Sequence, residues 1–181
     1  MDLNIEGKWA LVTGGANGIG EDISLQFAKE GVNLVITSRT DAPIQRLKDK
    51  LSDYPVSIIG LKVDFLTPNW FNVFEEAIKD IPVQILVNNA GHNLNITDPY
   101  CSIEEWSRVL ELNFFTAVRL SNLLIPKMKS LKWGRIVNIT SVAGLENMGP
   151  VTYGVAKASL TTYTRTMGRI LATEGGEVVM T

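Results

Sequence analysis

The stretch Lys8–Gly20, which reads KWALVTGGANGIG, decides the fold of this chain. It opens with a short apolar run that predicts a buried strand, and a glycine-rich loop follows at once. Apolar residues at helical spacing come next, and Gly31 is expected to end that helix. A strand, a tight glycine loop and a helix N-terminus in this order form a binding site for an anionic group.

Each glycine of this loop has a predicted task. We expect Gly14 to let the chain turn, Gly18 to let the backbone approach a pyrophosphate, and Gly20 to let the helix pack on the sheet. The spacing is Gly-x3-Gly-x-Gly, which differs from the common Gly-x-Gly-x-x-Gly fingerprint. The alternative interpretation is a glycine turn that binds no ligand.

Outward from this stretch, strands and helices alternate along the chain. The further strand candidates are residues 32–37, 57–63, 83–87, 135–140 and 177–181. One long helix is predicted for residues 102–129, begun by a capping box at Ser102–Glu105, and another for residues 152–173. The strands are continuous apolar runs, which is typical of a parallel sheet covered on both faces. The sequence therefore predicts an α/β fold with a doubly wound parallel sheet.

Composition excludes several functional classes. The chain has 181 residues, which suits one domain, and 17 basic against 19 acidic residues, which is no footprint for nucleic acid or an anionic membrane. The single Cys and single His rule out a metal cluster unless carboxylates dominate it, so no metal site is predicted. Neither a signal peptide nor a membrane-spanning run is predicted, and a cytoplasmic protein without nucleic-acid or membrane partners fits best.

Tyr153 and Lys157 stand four residues apart at the start of the predicted helix 152–173. Their side chains are therefore expected on one helix face, one turn apart. An ammonium beside a tyrosine hydroxyl favours the phenolate, so the pair is a candidate proton-transfer device. The same spacing also occurs by chance on many solvated helices.

The end of the second strand bears on the choice between the two nicotinamide cofactors. An acid there would bind the ribose 2′-hydroxyl of NAD(H), whereas an arginine would accept the 2′-phosphate of NADP(H). Arg39 occupies this place and no acid does, although Asp41 follows two residues later. NADP(H) is therefore favoured over NAD(H), and the alternative for Arg39 is an ordinary surface arginine.

Taken together, the motifs resemble those of the short-chain dehydrogenase/reductase family in its compact single-domain branch. The resemblance is carried by Thr13–Gly20, Asn88–Gly91, Ser141, Tyr153 and Lys157, and it covers essentially the whole chain. It implies one NAD(P)-binding domain of Rossmann type over residues 1–181 and an NADP(H)-dependent oxidoreductase acting on a small carbonyl or secondary alcohol.

The resemblance also implies roles for single residues. Tyr153 would be the general acid or base, Ser141 would bind the substrate carbonyl, and Lys157 would assist Tyr153 and hold the nicotinamide ribose. Asn113 would hold a water in a proton relay that ends at Lys157; its other interpretation is a packing amide bonded to backbone. Cofactor contacts are implied at Gly14, Asn17, Gly18, Ile19, Gly20, Arg39, Asp64, Asn89, Ala90, Gly91, Tyr153 and Lys157.

Two more of these implications leave alternatives open. Ser141 could instead cap a loop at the end of a strand, and Asp64, the adenine contact of the resemblance, could be a helix N-cap. His92 lies near the expected cleft and receives no role. Substrate identity is not readable from the sequence.

Family members normally continue beyond the sixth strand into a substrate lid and a last strand. We therefore expect a C-terminally incomplete fold that binds cofactor weakly and turns over slowly or not at all. A catalytically idle dinucleotide-binding or dimerisation fragment is the alternative function, and an epimerase or dehydratase on the same fold is a third. The outer faces of the two long helices are expected to form a homodimer or homotetramer, as in the resembling family.

Overall fold

The computed structural model describes residues 3–146 and 148–181, which fall into two compact units, one ending at Asn89 and one beginning at Ala90. The first unit has four strands and three helices in alternation. These are β1 Trp9–Val12, α1 Gly18–Lys29, β2 Asn33–Ser38, α2 Asp41–Lys50, β3 Ile58–Lys62, α3 Trp70–Ile78 and β4 Val83–Asn88. The strands lie in the order β3-β2-β1-β4, and every pairing among them is parallel.

The strand order of the first unit places a candidate ligand site. The chain leaves β1 toward β2 and β3 on one side, then returns to add β4 on the other side. In open parallel sheets, ligands bind at the carboxyl ends of the strands where the order reverses in this way. The glycine loop follows β1, so it lies at this switch point.

Continuous burial confirms the predicted parallel strands. Ala10, Leu11 and Val12 of β1 are fully buried, as are Leu34, Val35 and Ile36 of β2. Strands covered on one face only would have alternated buried and exposed side chains. On α3 the aromatic rings of Trp70 and Phe74 pack against that of Phe65, whose centroid lies 4.8 Å from that of Trp70.

The second unit carries the remaining elements. These are α4 Ile103–Leu110, a π-helical turn Glu111–Phe115, α5 Thr116–Ser130, β5 Gly134–Asn138, a 3-10 turn Val142–Gly144, α6 Val151–Thr173 and β6 Val178–Met180. Strands β5 and β6 pair in parallel. No helix of the described residues is long and apolar enough to cross a membrane.

Two sequence predictions about the second unit need correction. The helix predicted for residues 102–129 contains a π-helical turn at Glu111–Phe115. Its predicted capping box is present: the Ser102 side chain accepts from Glu105 N, and the Glu105 side chain accepts from Ser102 N. The fifth strand, predicted for residues 135–140, ends at Asn138, and Ser141 is the N-cap of the 3-10 turn rather than the end of a strand.

Candidate active site

The glycine loop between β1 and α1 is shaped by backbone conformations that suit glycine. Gly14 and Gly18 have φ angles of 62° and 50°, in the left-handed region that other residues rarely adopt. A Cβ on Gly18 would meet nothing within 4 Å, so the backbone is open to an approaching ligand there. At Gly20 a Cβ would overlap the Gly14 carbonyl and lie 2.6 Å from Asn89 Nδ2. Gly20 therefore lets the first turn of α1 lie close to the segments that follow β1 and β4.

Asn89 holds this loop from the end of β4. Its Nδ2 donates to the Thr13 and Gly14 carbonyls at 2.9 and 3.4 Å, and its backbone N donates to Thr13 Oγ1 at 2.9 Å. Gly14 N in turn donates to Thr37 Oγ1 on β2. The glycine loop is therefore held by hydrogen bonds to the ends of β2 and β4, on either side of β1. Ile19, which follows Gly18, is 64% exposed.

The residues at the ends of β2 and β3 are exposed. Arg39 directly follows β2, as the prediction for a 2′-phosphate requires. Asp41 begins α2, and its carboxylate lies 3.4 Å from Lys62 Nζ. Asp64 does not cap α3, whose N-cap is Asn69; its Oδ1 instead accepts from Leu66 N within a tight turn. The helix-cap alternative for Asp64 is therefore wrong.

In the second unit, Asn113 lies on the π-helical turn and is 1% exposed. Its Oδ1 accepts from His92 N at 3.1 Å, and its Nδ2 donates to the carbonyls of His92 and Val109 at 2.9 Å each. The side chain therefore fixes the segment after Ala90, which is the backbone-bonded alternative of the sequence analysis. A Cβ on Gly91 would lie 2.7 Å from Asn113 Oδ1 and 3.0 Å from Lys157 Nζ. Gly91 is the point against which both polar groups pack.

Lys157 lies on α6 with 2% of its surface exposed. Its Nζ donates to the Ile139 carbonyl at 2.8 Å and lies 5.7 Å from the ring centroid of Tyr153. Burial disfavours the charged ammonium and lowers the pKa of Lys157 from 10.5 to about 8. Tyr153 packs beside a cluster formed by Ile96, Val109 and Ala156.

Ser141 opens the 3-10 turn, and its Oγ accepts from Ala143 N at 3.2 Å. This is the loop-capping contact that the sequence analysis kept as an alternative. An accepted bond leaves the hydroxyl hydrogen available for donation, so capping and substrate binding are compatible.

Two glycines that the sequence analysis missed hold this 3-10 turn against α6. A Cβ on Gly144 would lie 2.6 Å from Ala158 N and 2.8 Å from the Lys157 carbonyl carbon, and one on Gly154 would lie 3.0 Å from Ala143 O. The turn that begins at Ser141 thus packs on the first two turns of the helix that carries Tyr153 and Lys157. Gly154, which lies between Tyr153 and Lys157 in the sequence, was the residue that could have indicated this close contact.

Residues 8–181 match the family model described as short chain dehydrogenase. This chain belongs to the short-chain dehydrogenase/reductase family. It is 35% identical over 176 residues to the 3-oxoacyl-(acyl-carrier-protein) reductase of Vibrio cholerae, covering 96% of this chain and 71% of that enzyme.

Solved structures of the family give the same assignment. The L-sorbose reductase of Gluconobacter frateurii, complexed with NADPH and L-sorbose, has a TM-score of 0.89 at 30% identity, covering 98% of this chain and 68% of its own. A 7α-hydroxysteroid dehydrogenase complexed with NADH has a TM-score of 0.85 at 28% identity, covering 95% and 68%.

The chain is therefore an oxidoreductase of Rossmann-type doubly wound fold, as predicted. Because similar structures hold either NADPH or NADH, the choice of cofactor depends on residues of this chain.

Proposed function

We propose that this short-chain dehydrogenase/reductase transfers a hydride between NADP(H) and a carbonyl or secondary alcohol, with Tyr153 as general acid or base. The observation that carries the proposal is the packing of the Ser141 turn on α6 through Gly144 and Gly154. Ser141 caps the turn that packs on α6, and α6 carries Tyr153 and the buried Lys157. Two hydroxyl donors and a lysine are the groups that carbonyl reduction needs.

The first unit contributes the residues for the dinucleotide. The open backbone at Gly18 and the loop held by Asn89 suit a pyrophosphate at the N-terminus of α1. Arg39 supplies the cation for a 2′-phosphate, since a guanidinium matches phosphate geometry better than other side chains. Asp41, whose carboxylate lies 3.4 Å from Lys62 Nζ, is the competing candidate for a ribose hydroxyl.

The second unit contributes proton transfer. When bound, the cofactor supplies the hydride. Tyr153 and Ser141 would donate hydrogen bonds to the carbonyl oxygen as negative charge develops on it, and the Tyr153 proton would then pass to that oxygen. Lys157 would stabilise the resulting phenolate and hold the ribose. Asn113 would place the Gly91 backbone against Lys157, with the water relay an additional proposed role.

An idle dinucleotide-binding fragment is the alternative function, and Tyr153→Phe distinguishes it from the enzyme. We expect NADPH-dependent reduction within a panel of ketones to fall by about 100-fold or more, since the proposed general acid is removed. NADPH affinity should stay within about twofold because the ring remains. Tyr163→Phe, on the same helix, is the control and should keep the parent rate; equal rates for all three proteins would refute the catalytic role of Tyr153.

The cofactor preference rests on Arg39 and is tested by Arg39→Asp. We expect the parent to bind NADPH more tightly than NADH and the variant to reverse this order, because a carboxylate repels the 2′-phosphate and accepts from the 2′-hydroxyl. Titration calorimetry with both cofactors measures the two affinities. Parent protein that binds NADH at least as well as NADPH would contradict the proposed preference.

The outer faces of α5 and α6 are expected to join copies of the chain into a homodimer or homotetramer. An open groove of about 630 Å³ along α6 is lined by Phe114, Val155, Tyr163 and Met167, among others. Apolar lining of this kind suits burial against a second helix pair. A light-scattering mass equal to the monomer at micromolar concentration would contradict this expectation.

A further inference from the structure

Four consecutive carbonyl groups of the glycine loop, from Thr13 to Ala16, accept hydrogen bonds from side chains. Asn89 bonds the first two, Ser24 Oγ donates to Gly15 O at 2.9 Å, and Arg46 Nη2 donates to Ala16 O at 3.0 Å. In a trans peptide the N–H of the next residue points away from the carbonyl. Holding these carbonyls by side chains therefore fixes the directions of the amides of residues 14–17.

Arg46 is the one charged group among these side chains, and it reaches the loop from α2. Its Nη2 also donates to Asn17 Oδ1 at 3.0 Å and to Glu21 Oε2 at 3.1 Å. Glu21 lies in the first turn of α1 with 13% of its side chain exposed. One guanidinium thus joins the last carbonyl of the loop, the N-cap of α1 and a carboxylate on that helix.

Lys50, one turn after Arg46 on the same helix, gives a natural comparison. Its Nζ pairs with the other oxygen of Glu21. Hydrogen bonds from Lys50 and Arg46 hold the pKa of Glu21 below its usual value, so this carboxylate stays charged at neutral pH. Both cations therefore bind Glu21, but of the two, Arg46 also holds the loop.

We propose that Arg46 is a positioning residue that fixes the Ala16–Asn17 peptide and thereby sets the affinity of the loop for a pyrophosphate. The inference rests on the proposed function, because it assumes that the loop binds a dinucleotide. The pyrophosphate is common to NADPH and NADH, so Arg46 acts equally on both. All three contacts of Arg46 use Nη2, and the 2′-phosphate is assigned to Arg39, which directly follows β2.

The test compares Arg46→Met with Lys50→Met, which removes the same charge and an ion pair to the same carboxylate. We expect Arg46→Met to weaken NADPH and NADH binding equally, by about tenfold, the effect of losing a hydrogen bond to a charged group. Lys50→Met should stay within about twofold of the parent. The single-turnover rate at saturating NADPH should be the same in all three proteins, since only cofactor affinity depends on the loop.

Unchanged affinities in Arg46→Met, or equal losses in the two variants, would refute the positioning role. Loss of NADPH affinity alone would also refute it, since Arg46 would then act on the 2′-phosphate. Hydrogen exchange in the cofactor-free protein gives an independent measurement: amides of residues 15–18 should exchange faster in Arg46→Met than in Lys50→Met or the parent. If the parent binds neither cofactor, the proposed function fails and the effect on affinity fails with it; the exchange comparison then decides only whether Arg46 fixes the Ala16–Asn17 peptide.

Discussion

Lys157 is a nearly fully buried charged residue of the candidate site. Its ammonium is nearly removed from water, donates to the Ile139 carbonyl and lies near the Tyr153 ring. Burial of a charged lysine is unfavourable, and a purely structural site would be served as well by an apolar residue. The retained charge is therefore best explained by the proton-transfer role proposed for Lys157 and Tyr153.

The pKa of Lys157 predicts a pH limit for activity. Because burial lowers this pKa to about 8, the ammonium is present below that pH and lost above it. The value of kcat/KM should then fall above about pH 8, by about tenfold per pH unit. Lys157→Arg keeps its charge at high pH, so the fall in kcat/KM should move to a higher pH, at a lower overall rate. If kcat/KM of the variant falls at the same pH as that of the parent, the proposed role of the Lys157 charge is contradicted.

The same pKa has a consequence for stability with the opposite sign. Between about pH 8 and 10.5 the folded protein has lost this proton while the unfolded chain still binds it. The contribution of Lys157 to the free energy of unfolding therefore rises with pH across this window.

At the level of elements, the 3-10 turn Val142–Gly144 and α6 act as one unit of the site. Their contact depends on Gly144, since any side chain there would collide with the α6 backbone at Ala158. The turn carries Ser141, and the helix carries Tyr153 and Lys157. The relative placement of the two proposed donors therefore depends on this packing, in which Gly144 makes the closest approach.

Gly144→Ala tests that contact. A Cβ 2.6 Å from Ala158 N must push the turn away from the helix, so kcat should fall on the order of 10- to 100-fold through misplacement of Ser141. NADPH affinity should change less than kcat. Gly154→Ala, with its closest approach of 3.0 Å, is the matched comparison and should be milder. Parent kcat in Gly144→Ala, measured by NADPH oxidation, would show that the contact does not position Ser141.

Sequence patterns predicted local features better than contacts between distant elements. The buried strands, the capping box at Ser102 and the loop glycines follow from neighbouring residues, and the structure has them. The π-helical turn was missed because the apolar stripe of the predicted helix runs through it, and nothing in that spacing marks one extra residue in a turn. Gly144 and Arg46 were missed because their partners lie 13 or more residues away.

On the scale of the whole molecule, each unit carries a different part of the proposed function. The first holds the glycine loop and Arg39; the second holds Asn113, Ser141, Tyr153 and Lys157. The chain spans about 70% of the length of the Vibrio cholerae reductase and the sorbose reductase that it resembles. The rate attained by these 181 residues is therefore a separate question from the type of reaction.

The reaction type is tested most directly by following the hydride itself. NADPH that carries deuterium at both C4 positions is mixed with a stoichiometric amount of the protein and a panel of ketones, and the products are analysed by mass spectrometry under single-turnover conditions. The proposed function predicts that an alcohol appears with one deuterium on the former carbonyl carbon, and that Tyr153→Phe yields none on the same timescale. Protein that binds NADPH yet forms no deuterated alcohol from any ketone would contradict the proposed hydride transfer and favour the idle dinucleotide-binding module.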